Sequence, residues 1–386
     1  MLLAKILSIR SLNILTLLIY CYLGSVKADS TVLKVSVLSI SSISIFFLTS
    51  LLIMYRNRKV VYQAIFSSRK ILVLISLIIV ATLLTKTTIF LVPMLFAITS
   101  IVSDVRSLLR YYLFWSILLF LGLVMLQASG IITGGEVAQE VNGVEVMAKS
   151  LGFGNPNGAF TYLFSILVTS YVLLGNSSRK VLFTAFALVP VIIIYNQTLS
   201  RTGLLCCLLV MAFGHTNNIM PWRKTKGLLP ALFIALTLGS VFLAMYHNQM
   251  GDTINDLMSN RPYWWGIRVE DGALSNLLGN ADSFATNYTW WLDSAPLDSF
   301  FLRVWFSDGL LILIVFFIFF RLWSRRLHNK MLIFGTLVTL LYGFSEYGIM
   351  SNPGKNVILL IMMVPIFSKY AVSQKMNLFG DTSRDK

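Results

Sequence analysis

The sequence predicts an all-α polytopic integral membrane protein, and three observations carry that prediction. Hydrophobic residues make up 56% of the 386-residue chain, and the mean hydropathy is +0.77. Apolar runs of roughly 16–24 residues recur along its whole length, enough to cross a hydrocarbon core of about 30 Å as helices. The basic residues sit in short segments between those runs, as membrane topology arranges them. Lipid offers no partner to free backbone groups, so each run must satisfy itself as a helix. A transmembrane barrel would instead alternate in short segments. Residues 1–386 therefore read as a single transmembrane domain.

About 12 spans are predicted. In order they lie near 11–26, 35–55, 71–85, 89–102, 111–131 and 158–175, then 181–195, 202–213, 228–247, 300–323, 331–349 and 357–372. The run from Thr202 is short and can continue through Gly214. The runs on either side of Lys86 are so close that one is a candidate re-entrant piece. Lys5 and Arg10, an apolar stretch and Val26-Lys27-Ala28 have the layout of a signal peptide. An uncleaved first helix is the reading adopted, and Ala28 lies outside in either case.

Charge fixes the expected orientation. With a cytoplasmic N-terminus, 22 of the 31 basic residues fall in inner segments, among them Arg56, Arg58, Arg179, Lys180, Arg223, Lys224, Arg325 and Arg326. The acidic residues run the other way, with Asp104, Asp381 and Asp385 inside and most of the 16 outside. An even number of spans puts both termini in the cytoplasm. The net charge of +15 is spread over many loops rather than gathered in a patch, so nucleic acid is not an expected partner.

Metal and cofactor chemistry find little foothold. There is no P-loop, no GxGxxG opening a helix and no HExxH. His215, His247 and His328 read as solvated or interfacial residues rather than ligands. Cys21, Cys206 and Cys207 lie within apolar runs without metal-ligand spacing, and a vicinal pair suits a disulfide poorly.

The polar interval 248–299, between the ninth and tenth expected helices, is the main outer loop; it holds Arg261, Arg268, seven carboxylates and four of the eight tryptophans. A second outer loop covers 132–157. Five outer features carry candidate chemistry. Gly152-Phe153-Gly154-Asn155-Pro156-Asn157-Gly158 is a turn by composition, and its Asn155 and Asn157 amides also stand where a helix N-terminus favours anions. Ser200-Arg201-Thr202-Gly203 places an arginine at the outer end of a span. At membrane depth an arginine costs about 2.5–3.5 kcal/mol on insertion scales; it either snorkels to headgroups or binds an anion, with Ser200 and Thr202 adding hydroxyls. In Asn260-Arg261-Pro262-Tyr263-Trp264-Trp265, followed by Arg268, the guanidinium forks suit phosphate oxygens. Trp264 suits sugar stacking as well as an interfacial belt. Asp298-Ser299-Phe300-Phe301-Leu302-Arg303 delivers a carboxylate to a helix entrance, where Asp298 also fits an N-cap. Asp308 lies deeper in the same run. The last outer loop, from Glu346 to Asn356, adds one carboxylate and Lys355.

In this order the features resemble the O-antigen polymerase and ligase superfamily, the Wzy-type polysaccharide polymerases and their relatives. The matching pieces are Gly-Asn-Pro-Asn at 154–157, Ser-Arg-Thr-Gly at 200–203, Asn-Arg-Pro at 260–262, and Asp-Ser-Phe-Phe-Leu at 298–302 with Gly309-Leu310. They cover about residues 150–360; the first half matches only as hydrophobic helices. The resemblance implies a bacterial inner-membrane glycosyltransferase with one large periplasmic loop and no cofactor. Its substrate would be an undecaprenyl-diphosphate-linked glycan, its surroundings membrane lipid, and a chain-length regulator and a flippase its candidate partners. Carried over by position, Arg201 and Arg261 hold the diphosphate and Asp298 serves the acceptor. Arg268, Asn155, Asn157, Ser200, Trp264 and Arg303 are expected to line the substrate site. Ligases commonly carry His-Asn where this chain has Asp298-Ser299, which favours polymerase over lipid A-core ligase and leaves the base open, with Asp293 and Glu346 next in line.

The expected chemistry is a single displacement at the donor's anomeric carbon, inverting its configuration. Arginines stabilise the charge growing on the departing diphosphate, and a carboxylate takes the attacking hydroxyl's proton. A lipid-linked oligosaccharide flippase is the alternative from another class. Transporters tend to place charges at the bilayer midplane and to show internal repeats, whereas here the charges favour outer loops.

Overall fold

The computed structural model describes residues 8–23, 35–66, 69–85, 90–132, 136–141, 144–153, 155–175, 177–215, 222–249, 258, 260–270, 277–279, 298–327, 329–346 and 355–364. The described chain is nearly all helical. Its elements are α1 (Ile9–Leu23), α2 (Val35–Arg56), α3 (Arg58–Phe66), α4 (Arg69–Thr85), α5 (Leu91–Ile101), α6 (Val105–Ala128), β1 (Glu136–Val141) and β2 (Val144–Lys149). Then follow α7 (Pro156–Leu174), α8 (Arg179–Thr198), α9 (Arg201–His215), α10 (Trp222–Met245) and α11 (Arg261–Glu270). The last are α12 (Phe300–Asp308), α13 (Leu310–Arg326), α14 (Lys330–Ser345) and α15 (Val357–Ile361).

Every apolar run expected to span carries a helix, but length separates them. Five are long and apolar enough to cross a membrane: Leu38–Arg56, Val105–Ala128, Pro156–Leu174, Arg179–Thr198 and Lys226–Met245. A sixth arises if α3 and α4, bent by 92° at their junction, act as one broken span. The shorter apolar helices are Ile9–Leu23, Leu91–Ile101, Arg201–His215 and Lys330–Ser345. Residues 365–372 of the twelfth expected span lie outside the described residues, as do most of 248–299 and the candidate Asp293.

Burial sorts the long helices into centre and perimeter. α7 is 78% buried over its apolar window, against 17% for α8 and 22% for α10. The outer helices therefore turn leucine, isoleucine and phenylalanine outward, with Leu182, Phe186, Leu238 and Phe242 all exposed. Such faces are stable against lipid and would be a liability in water. Around α7 pack α6, α8, α9, α14 and α15. Local signals set its ends: the Asn155 side chain accepts from the Asn157 N–H at 2.8 Å, Pro156 pre-sets the first turn, and Gly175 ends the helix at φ 57°.

Small residues on α9 bring it close to α7. A Cβ at Gly203 would collide with Phe160, and one at Gly214 with Tyr171. The contact pairs advance together, so α7 and α9 run parallel and Arg201 lies at the same end of the bundle as Asn155 and Asn157. The opposite end is basic. There Arg106 donates to the Leu173 carbonyl at 3.3 Å and Lys180 to the Gly214 carbonyl at 3.0 Å. Lys226 reaches the Leu327 carbonyl at 3.4 Å.

The tenth expected span is not one helix. α12 stops at Asp308, Gly309 takes φ +92°, and α13 starts at Leu310. Leu277–Gly279 crosses this break; the Leu277 carbonyl accepts from the Leu311 N–H at 3.2 Å. A Cβ at Gly309 would meet the backbone of Leu277 and Gly279, and one at Gly279 (φ +84°) would meet Ser307 to Gly309. A backbone segment from elsewhere thus fills part of the gap that the break leaves in the hydrogen-bond ladder, as apolar surroundings require. The loop at 132–157 also holds structure, an antiparallel hairpin in which Val141 pairs with Val144.

A candidate site around Arg261

Four of the five segments singled out in the sequence meet at one point, through Asn157, Arg261, Asp298 and Glu346. Arg261 donates from Nη2 to Glu346 Oε1 at 2.7 Å. Its Nε lies 3.6 Å from Asp298 Oδ2, an ion-pair distance rather than a direct bond. Asn157 Nδ2 donates to the same Glu346 Oε1, also at 2.7 Å. Side-chain exposure falls from 30% at Asp298 through 16% at Arg261 to 7% at Glu346, so the cluster opens on the Asp298 side.

Each residue is delivered by a helix end. Asn260, at φ 57°, turns the chain immediately before Arg261, and asparagine tolerates that left-handed conformation. Pro262 fits the first turn of α11, where no N–H is needed. Trp265 anchors α11 by burying its ring against Phe344, Leu302 and Ala244. Asn157 occupies the first turn of α7. Glu346 directly follows α14 and bonds its N–H to the Tyr342 carbonyl at 2.8 Å.

Asp298 does not cap α12, contrary to one reading of the sequence. Ser299 is the N-cap residue and makes no capping bond; its hydroxyl pairs with that of Ser240 at 3.0 Å. The Asp298 carboxylate is thereby left to Arg261, with the charge of Arg303 also acting on it.

The other expected residues divide by exposure. Arg201 is exposed at the first position of α9, with Ser200 buried behind it and accepting the Gly203 N–H at 3.3 Å. Leu199, at φ 53°, ends α8 and makes that turn tight. No contact joins Arg201 to Arg261, although Cys206 on the same helix feels the Glu346 charge. Asn155 is exposed, and Trp264 is half-buried with its ring 5.3 Å from that of Tyr263. Arg268 is 1% exposed and so packs inside rather than lining a surface. His247 is buried too, not solvated; its Nδ1 lies 2.9 Å from the Ala244 carbonyl and its Nε2 3.7 Å from Glu270. His215 is exposed beside Thr184, and His328 lies outside the described residues.

Two carboxylates share Arg261, with Arg303 also acting on Asp298, and burial makes ionising both of them costly. Burial pushes Glu346 up to about 8, with the Asp298 charge adding and Arg261 and Asn157 opposing. Burial raises Asp298 as well, against Arg261 and Arg303. Chemically the cluster can offer a guanidinium to an anion and a carboxylate that gains or loses a proton in the physiological range. Among the described residues, no group of three or more His, Cys, Asp or Glu is placed to hold a metal ion.

Comparison with protein-family models, with curated proteins and with solved structures gives no match.

Proposed function

We propose that this protein polymerises undecaprenyl-diphosphate-linked oligosaccharide repeat units into O-antigen or capsular polysaccharide at the periplasmic face of a bacterial inner membrane. The observation that supports the reading is the convergence of Asn157, Arg261 and Asp298 with Glu346 at one end of a helical bundle. Those three residues come from separate polar segments, and each segment is one that resembles the polymerase superfamily.

In this reading Arg261 takes the donor's diphosphate and stabilises the charge that grows as the anomeric C–O bond breaks. Arg201, exposed at the same end, and Arg303, beside Asp298, add positive charge for the same anion. A carboxylate flanking Arg261 takes the proton of the acceptor hydroxyl. Trp264 and Tyr263 offer ring faces to sugars.

A transporter of lipid-linked oligosaccharide is the second reading, favoured by the broken helix at Gly309, since discontinuous helices often line transport sites. Deleting the gene separates the two. Loss of a polymerase leaves single repeat units displayed at the cell surface. Loss of a flippase leaves lipid-linked units on the cytoplasmic side, and that outcome would end the polymerase reading.

A further inference from the structure

Glu346 carries a role beyond bracing Arg261. Both of its donors, Arg261 Nη2 and Asn157 Nδ2, go to a single oxygen, Oε1. Among the described residues Oε2 accepts no hydrogen bond. The two 2.7 Å bonds come from different helices, α11 and α7, and fix the carboxylate's orientation. Arg261 is thus shared: one edge holds Glu346, while Nε faces the more exposed Asp298. A carboxylate clamped by one oxygen, with the other unengaged beside the diphosphate-binding guanidinium, has the arrangement a general base needs.

We propose that Glu346, through Oε2, takes the proton of the attacking sugar hydroxyl, while Asp298 stays ionised as the counter-charge that positions Arg261. The inference rests on the polymerase reading above. The acceptor oxygen bonds to the donor's anomeric carbon. The bond from that carbon to the diphosphate oxygen breaks, its electron pair leaving on the lipid diphosphate. The hydroxyl proton goes to Glu346 and passes to water when the products depart. No oxidant, metal or further reactant enters the balance.

Arg261 from α11 and Asp298 before α12 act on Glu346, and the titratable groups of Cys206 on α9 and Tyr342 on α14 lie within reach of its charge. Glu346→Gln keeps the size and the Oε1 acceptor but cannot take a proton, so it isolates the role.

The test uses purified full-length protein and lipid-linked repeat units extracted from a strain lacking the gene, with farnesyl diphosphate as a separate binding probe. Glu346→Gln should elongate the units about 10²–10⁴-fold more slowly, with a far smaller change in its affinity for farnesyl diphosphate. Glu346→Asp, which keeps a carboxylate, should retain measurable turnover and so shows that the site still folds. The Asp298→Asn variant should still show a rise of rate with pH, moved to lower pH because the Asp298 charge that raises Glu346 is gone, and Glu346→Gln should lose the rise. Wild-type elongation by Glu346→Gln would remove Glu346 as the base and leave the polymerase reading intact. Wild-type protein that elongates nothing would remove the polymerase reading, and the role of Glu346 with it.

Discussion

Arg261 and Glu346 stand 85 positions apart and meet through a 2.7 Å bond, Nη2 to Oε1, in which the carboxylate is almost fully buried. Charge-assisted bonds of this kind are among the strongest a side chain makes. Arg261 also faces Asp298, so the guanidinium ties the end of α14 to the entrance of α12.

Arg261→Ala should therefore be costly twice over. It removes the fork proposed to hold the diphosphate and leaves the Asp298 and Glu346 carboxylates without the guanidinium between them. Breaking a fully buried ion pair costs about 3–5 kcal/mol, and less is expected here because Arg261 is 16% exposed. A thermal-unfolding series in detergent should show Arg261→Ala below wild type, with stability largely restored by adding Glu346→Gln. Turnover should not return in the double variant. Arg261→Lys keeps the charge and loses the fork, so it should fold well and elongate poorly.

The elongation rate should depend on pH with a definite sign. In the proposed role Glu346 works deprotonated, and burial pushes its carboxyl up to about 8. The rate should thus climb as pH rises from about 6, roughly tenfold per unit well below that value, and level off above it. A wild-type rate that is flat across this range, or that falls, would contradict the assignment.

Asp298→Asn separates two explanations that the sequence left together. Asparagine is as good an N-cap as aspartate, and α12 takes Ser299 as its cap residue anyway. The variant should keep wild-type thermal stability. Loss of the counter-charge on Arg261 should still slow elongation, by about tenfold or less in keeping with an indirect electrostatic role. A drop in stability without a change in rate would return Asp298 to a structural role.

Much of this arrangement was legible locally. Asn260 and Pro262 announce a tight turn into a helix, and Asn155-Pro156 marks the start of α7. The hairpin has a local signal in Asn142-Gly143, a strong two-residue turn dipeptide between the paired strands, but its first strand, Val137-Ala138-Gln139-Glu140-Val141, lacks a clean alternation. The break at Gly309 has a local signal in the Asp308-Gly309 turn dipeptide, but the Leu277 carbonyl that supplies part of its hydrogen bonding lies far away in sequence and leaves no local pattern. Glu346 was visible as a carboxylate in a short loop; its bonds to Asn157 and Arg261 span 189 and 85 positions and leave no local pattern.

The crossing of Gly279 and Gly309 makes its own prediction. Gly309→Ala would put a Cβ into the Leu277–Gly279 backbone at φ +92°. Folded yield by size-exclusion chromatography should fall several-fold, whereas Gly239→Ala, whose Cβ finds ordinary contact at 3.8 Å, should be neutral.

The most direct measurement of the central claim is elongation by the purified protein. Lipid-linked repeat units from the deletion strain are incubated with wild type and with Arg261→Ala, and the products are resolved by chain length. The account predicts a ladder of polymer still attached to lipid with wild type, and single units only with Arg261→Ala at matched protein. Single units with both proteins, or equal ladders with both, would contradict it.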